Sequence, residues 1–168
     1  MSLRAPILLI ALPFCQTSFS QTKNDTINTL EIQAKNYLTE MYVNRNFDVA
    51  SKFLDSRVFT EMEDFYVKRN QGQLKDSVLY YRIKFDISKY YKILTQFRFD
   101  KFLQANIERE DNFTFGYIFF EYTEFFGNKS DTNKTMLVFI SEDNGKKWVL
   151  QDWKIKDIAD KVDKGIIK

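Results

Sequence analysis

Met136-Leu137-Val138-Phe139-Ile140-Ser141-Glu142-Asp143-Asn144-Gly145-Lys146-Lys147-Trp148-Val149-Leu150-Gln151-Asp152-Trp153 reads as two apolar strands joined by a tight turn. Asn144-Gly145 supplies the two positive-φ positions such a turn requires, and the Asp143 carboxylate can accept a backbone N–H across it. With that loop, Ser141 pairs with Trp148, Phe139 with Leu150, Leu137 with Asp152 and Met136 with Trp153. One face then carries Met136, Val138, Ile140, Val149, Trp153 and Ile155, interrupted by Gln151. The other carries Leu137, Phe139, Trp148, Leu150 and Asp152. Both faces are largely apolar, so the sheet is expected to be covered twice. Helices would take one side, and a second copy of the chain or the C-terminal tail the other.

Upstream, Phe102 to Glu110 and Phe113 to Phe126 read as two further strands, with Lys134 to Ser141 and Lys147 to Lys156 as the last two. Asp111-Asn112, Gly127 to Asn133 and Asp143 to Gly145 separate them as turns. The N-terminal half is helical in pattern. Ile27, Leu30, Ala34, Tyr37, Leu38 and Met41 form one apolar stripe, capped by Asp25 or Thr26. Asp48 can cap a second helix through Val49, Ala50, Phe53 and Leu54. A third carries Val58, Phe59, Met62, Phe65 and Tyr66, with Gly72 placed to stop it. Leu74, Val78, Tyr81 and Phe85 fit a helix, yet Arg82 to Ser88 alternates strictly between apolar and polar residues. That alternation favours a short strand there, followed by a helix through Tyr91, Leu94 and Phe97. Helices first and a strand meander last define an α+β domain, N-terminal helices packed on a curved antiparallel sheet of four or more strands.

The first twenty residues have another character. Arg4 precedes the apolar run Ala5 to Phe14, and Ser18-Phe19-Ser20 stands before Gln21, the layout of a secretory leader cut between Ser20 and Gln21. Ten apolar residues fall well short of the roughly 20 that span a bilayer. The expectation is an exported protein, periplasmic or extracellular, with no stable membrane insertion after cleavage. Cys15 follows bulky Phe14 where a lipid anchor wants a small residue, so lipidation is not favoured. The organisation expected is a leader over 1–20, one domain over 21–156 and a charged tail over 157–168, in which Ile158 and Val162 stand one helical turn apart.

Composition narrows the chemistry. The chain has no histidine, and Cys15 is its one cysteine, so common zinc sites and histidine-based triads are excluded. Its five glycines are unclustered, which leaves no phosphate-cradling loop, and no metal or cofactor is expected. A net charge of +2 without a basic stripe argues against nucleic acid as a partner. Seventeen phenylalanines and nine tyrosines supply an aromatic interior, as packed core or as the wall of a cavity.

Ser141, Asp143, Gly145 and Trp148 have the spacing of the Asp-box hairpin of sialidase-like propellers. A propeller needs several blades, and one copy in 168 residues cannot make one, so the segment is read as a structural turn. The whole layout resembles the nuclear-transport-factor-2-like superfamily with its cystatin-like cone. The resemblance rests on the opening helix Ile27 to Tyr42, the short helix in Asn46 to Leu54, and the hairpin Met136 to Ile140 with Trp148 to Trp153. It implies a cone-shaped cavity, frequent dimerisation through the sheet, and functions from isomerases and dehydratases to binding modules. Members that rely on a catalytic histidine are excluded by composition.

Three functional readings remain open. The leading one is an exported binding module holding a small apolar ligand or a protein partner in an aromatic-lined cone, with Tyr37, Tyr91, Tyr117, Glu121 and Trp153 as the expected lining. The second is an acid/base isomerase- or hydratase-like enzyme using Glu121 or Asp152. A carboxyl walled by rings resists ionisation and can move protons, and Tyr37, Tyr91, Tyr117 and Tyr122 are candidate donors beside it. Glu121 and Glu124, three apart in a strand, should face opposite ways. The third is a structural or inhibitory protein acting through its sheet face, with a homodimer through that sheet.

Overall fold

Helix α1 (Cys15–Leu38) runs into a wider π-helical turn over Thr39–Val43 and ends at Arg45, a left-handed residue with φ 55°. The computed structural model describes residues 15–69, 75–110, 112–143 and 145–168. Leu30, Ala34, Tyr37 and Leu38 are buried along α1 and Met41 in the π turn that follows, as their spacing requires. The helix starts ten residues before the expected cap at Asp25, although Lys23, Asn24 and Asp25 are exposed and add nothing to the core. Most of the leader lies outside the described residues. None of the described helices is long and apolar enough to cross a membrane.

Helix α2 (Phe47–Ala50) continues as a single 3-10 turn, Ser51–Phe53. Its cap is Asn46, whose side chain accepts the Val49 N–H at 3.3 Å. Asp48, expected in that role, instead accepts from Lys84 and from the Tyr80 hydroxyl. Helix α3 (Ser56–Lys68) is capped by Asp55 and buries Val58, Met62 and Tyr66. Gly72 lies outside the described residues.

The strand expected at Arg82 to Ser88 does not exist: helix α4 (Asp76–Ile93) runs straight through it. Ile83 and Ile87 are four apart and both buried, with Leu79 and Tyr90 on the same stripe, while Phe85 between them is 51% exposed. The alternation was a helical stripe with one apolar residue on the wet side. Phe97, expected in a helix, belongs to the first strand.

Four strands form one antiparallel sheet in the order β1-β2-β3-β4: β1 (Gln96–Glu110), β2 (Phe113–Phe126), β3 (Lys129–Ser141) and β4 (Val149–Gln151). Strand β3 starts five residues earlier than expected. The β2–β3 hairpin turns at Gly127, φ +60°, so the polar run Lys129 to Asn133 is strand rather than loop. Two register shifts, between Phe99 and Lys101 and between Phe102 and Gln104, bend β1 and help the unclosed sheet curl. Helices pack in the curl, with α1 against β1 and β2. Gly116 permits a close approach of α1 to β2: a Cβ there would lie 2.4 Å from Leu30 Cδ1.

The closing hairpin has the register its turn predicts, with Phe139 opposite Leu150 and Ile140 opposite Val149. Asp143 Oδ1 accepts the Lys146 and Lys147 N–H groups at 3.0 and 2.8 Å and the Ser141 hydroxyl at 2.8 Å. Gly145, φ +86°, donates its N–H to Ser141 Oγ, and the buried Trp148 ring lies against it. Asn144 lies outside the described residues. The fourth strand, expected to reach Lys156, stops at Gln151 instead. The Asp152 carboxylate accepts the Lys154 N–H at 2.9 Å and turns the chain into helix α5 (Lys154–Asp163). Ile155, Ile158, Ala159 and Val162 are buried along α5, which packs on α4. The segment expected to begin a charged tail is therefore partly core.

Candidate functional site

The π turn after α1 decides which tyrosines meet. Five residues apart on a regular helix, Tyr37 and Tyr42 would point about 140° apart. The wider turn, closed by the Asn44 N–H donating to Thr39 C=O at 2.8 Å, brings both hydroxyls onto one oxygen. Tyr37 donates to Asp152 Oδ2 at 2.6 Å and Tyr42 to the same atom at 3.1 Å. With Lys154 N–H on Oδ1, both oxygens of the buried Asp152 have partners.

Lys154, the first residue of α5, sends its side chain back into the concave sheet. Its ammonium donates to Glu124 Oε1 and, at 3.2 Å, to the Tyr122 hydroxyl; Tyr90 donates to the same Glu124 oxygen. Three rings surround the ammonium, with centroids at 4.4 Å for Tyr122, 5.0 Å for Tyr42 and 5.5 Å for Tyr90. Phe97 lies between Tyr42 and Tyr122, stacked on each at 4.8 and 5.3 Å. The result is an ion pair in a wall of π faces.

Burial sets the electrostatics. It pulls the Lys154 ammonium below its usual value, against the opposing pull of Glu124. It pushes the phenols of Tyr37, Tyr42, Tyr90 and Tyr122 above theirs, helped by the neighbouring carboxylates. All four therefore stay protonated and can act only as neutral hydrogen-bond partners at ordinary pH.

Two spaces adjoin this cluster. Inside, a cavity of about 10 Å³ lies among residues that include Leu38, Tyr42, Phe97, Phe120 and Asp152, room for about one water. Outside, a cleft of about 320 Å³ runs between β3 and α5, lined by Asp131, Asn133, Trp153, Asp157 and Lys161, with Glu124 at its floor. Tyr122, Thr135 and Lys154 line both spaces and form the partition between them. Among the described residues, no group of three or more histidine, cysteine, aspartate or glutamate side chains is arranged to hold a metal.

The residues expected to line one pocket are dispersed. Tyr37 is in the interior. Tyr91 is half-buried beside it, its hydroxyl donating to the Met41 carbonyl while its own carbonyl accepts from Arg45 at 3.2 Å. Tyr117 and Glu121 occupy the opposite sheet face, since Gly116 faces α1 and strand residues alternate. There Tyr117 stacks on Phe115 at 6.4 Å, and Glu121 stands 3.7 Å from both Lys101 and Lys134. Trp153, 51% exposed, lies at the rim of the outer cleft. Tyr42, Tyr90, Glu124 and Lys154 were missed as site residues. The parity of β2 relative to Gly116 could have selected Glu124 over Glu121, whereas Lys154 requires knowing that β4 stops at Gln151.

Compared with known proteins, the chain matches no family model, no curated protein and no solved structure.

Proposed function

We propose that this chain is an exported binding module of the nuclear-transport-factor-2-like type, taking a small polar ligand in the cleft over Lys154. The observation that carries the reading is the position of the Lys154–Glu124 pair at the cleft floor, ringed by tyrosines. A buried ion pair adds little stability that apolar residues of similar volume would not, so its place beneath an open cleft favours a role in orienting a ligand. Trp153 offers a flat apolar face at the rim, and Asn133, Thr135 and Asp131 offer hydrogen-bonding groups along β3. This moves the ligand out of the expected cone interior, whose stacked rings leave about 10 Å³, and replaces the small apolar ligand expected there with a polar one. The α+β layering with helices in a curled sheet supports the superfamily reading, and the leader-like first twenty residues support export.

Native mass spectrometry of the protein purified gently from its own host tests this reading. A releasable small molecule, lost in Trp153→Ala, is the expected result. Retention of that molecule in Trp153→Ala and in Lys154→Met would place it elsewhere and remove the cleft from consideration.

A second reading, an acid/base isomerase or hydratase, is favoured by the pairing of Asp152 with two tyrosine hydroxyls. A substrate would have to displace Tyr42 to reach that carboxylate. Turnover lost in Asp152→Asn with substrate affinity retained would establish it. The apolar outer sheet face, with Phe113 and Phe119 partly exposed, supports the homodimer of the third reading.

A further inference from the structure

Among the lysines in ion pairs, Lys154 stands apart. Its side chain is 19% exposed, whereas those of Lys84, Lys101, Lys134, Lys161 and Lys164 are 42% to 69% exposed. It is also the one of these six whose ammonium is hydrogen-bonded to a carboxylate and a phenol together, at the boundary between a small inner space and an open cleft. Buried amines of this kind are the ones proteins use on carbonyl groups.

We propose that Lys154 is a nucleophilic amine that forms an imine with a small hydroxylated aldehyde bound in the outer cleft, an inference that rests on the cleft being the ligand site. The Lys154 ammonium gives one proton to the Glu124 carboxylate, to which it is already hydrogen-bonded. The freed nitrogen lone pair attacks the carbonyl carbon, forming the C–N bond while the C=O π pair moves to oxygen. A second proton passes from nitrogen to that oxygen, giving a neutral carbinolamine. Glu124 then returns its proton to the hydroxyl, which departs as water as the nitrogen lone pair forms C=N. Ammonium and aldehyde thus become protonated imine and one water, with Glu124 restored as carboxylate and no oxidant or reductant used. The Tyr122 hydroxyl, 3.2 Å from the nitrogen, is placed to donate to the carbonyl oxygen during attack. The three rings about the nitrogen suit the cationic imine as they suit the ammonium. The aldehyde is a hydroxylated one because the wall facing Lys154 is made of Asp131, Asn133 and Thr135.

Lys161 provides an internal control. It lines the same cleft but is exposed and paired with Asp157 at 2.7 Å. The wild-type protein is treated with glycolaldehyde and cyanoborohydride near neutral pH, and labelled lysines are ranked by peptide mass mapping over time. Lys154 is expected to be labelled several-fold faster than Lys161, because Glu124 is placed to take its proton and Tyr122 to donate to the carbonyl oxygen, whereas Lys161 is exposed on Asp157. In parallel, ethylene glycol, which has no carbonyl, is titrated while the Trp153 indole N–H is followed by NMR. Labelling of Lys154 no faster than Lys161, with the indole signal shifting, overturns the imine chemistry and leaves the cleft as a binding site. Equal labelling with no indole shift overturns both.

Discussion

The Tyr37 hydroxyl and the Asp152 carboxylate, 115 positions apart in the chain, meet at 2.6 Å inside the protein. This bond fastens the C-terminal end of α1 to the point where β4 gives way to α5. Tyr42 reaches the same oxygen only because the helix widens between the two tyrosines. The first and last parts of the described chain are thus locked by one carboxylate.

Removing the Tyr37 hydroxyl while keeping its ring isolates that link. Tyr37→Phe is expected to lower stability by about 1–3 kcal/mol, the range for leaving a buried partner short of a hydrogen bond. Urea unfolding should show a lower midpoint with an unchanged slope. A midpoint equal to wild type would mean Tyr42 alone satisfies Asp152.

Asp86 gives the fold a pH dependence. The Tyr66 hydroxyl donates to its Oδ2 at 2.7 Å, while its buried Oδ1 has no hydrogen-bond partner among the described residues. Burial raises the carboxyl above its usual value, opposed by Tyr66 and Arg82. The folded chain therefore holds this proton more tightly than the unfolded one. The resulting stability is fully present below the unfolded value and is lost as pH rises through the folded one. Asp86→Asn removes that slope, so the variant should gain relative to wild type as pH rises above the ordinary aspartate value of about 4. A urea-midpoint difference that stays constant over that rise, or shrinks, rules the effect out.

Gly116 lets α1 sit against β2. Gly116→Ala places a methyl 2.4 Å from Leu30 Cδ1, and Leu30 is itself fully buried, so the helix or the leucine must shift. The expected cost is about 1–3 kcal/mol, the usual range for overpacking a filled core. Combining it with Leu30→Ala, which vacates the space, should cost less than the two single changes added together. Strict additivity would show that the methyl is accommodated without disturbing Leu30.

The leader reading can be tested at the N-terminus. Secretion from a competent host should yield a chain beginning at Gln21. An unprocessed secreted N-terminus would dismiss the expected cut between Ser20 and Gln21.

What was legible in the sequence was what local chemistry controls. The Asn144-Gly145 loop set a register that the sheet keeps from Val138 to Ile140, and the stripe from Leu30 to Met41 identified the buried face of α1. The errors arose where two periods coincide. Ile83, Phe85 and Ile87 alternate like a strand, yet Ile83 and Ile87 also stand one helical turn apart, and only tertiary packing decides between them. Lys129 to Asn133 has the composition of a loop, but a hairpin that projects into water can pair polar residues just as well. The site was the least legible part. Glu124 and Lys154 are 30 positions apart, and their meeting depends on β4 ending at Gln151, where the Asp152 carboxylate accepts the Lys154 N–H at the start of α5.

The Glu124–Lys154 pair offers the sharpest test of the interior. Lys154→Met leaves a carboxylate among tyrosine rings with Tyr90 as its remaining described hydrogen-bond donor, and breaking a buried pair in this way costs about 3–5 kcal/mol. Replacing both groups, Glu124→Leu with Lys154→Met, removes the stranded charge and should restore most of the loss. The double-mutant cycle, read by urea unfolding, should therefore show strong coupling between the two positions. If the double variant matched wild type in stability, the pair would be retained for something other than holding the fold, as a ligand-facing group would be. If the two losses simply added, the ammonium and the carboxylate would be solvated separately, and the tyrosine-walled ion pair would not describe the protein in solution.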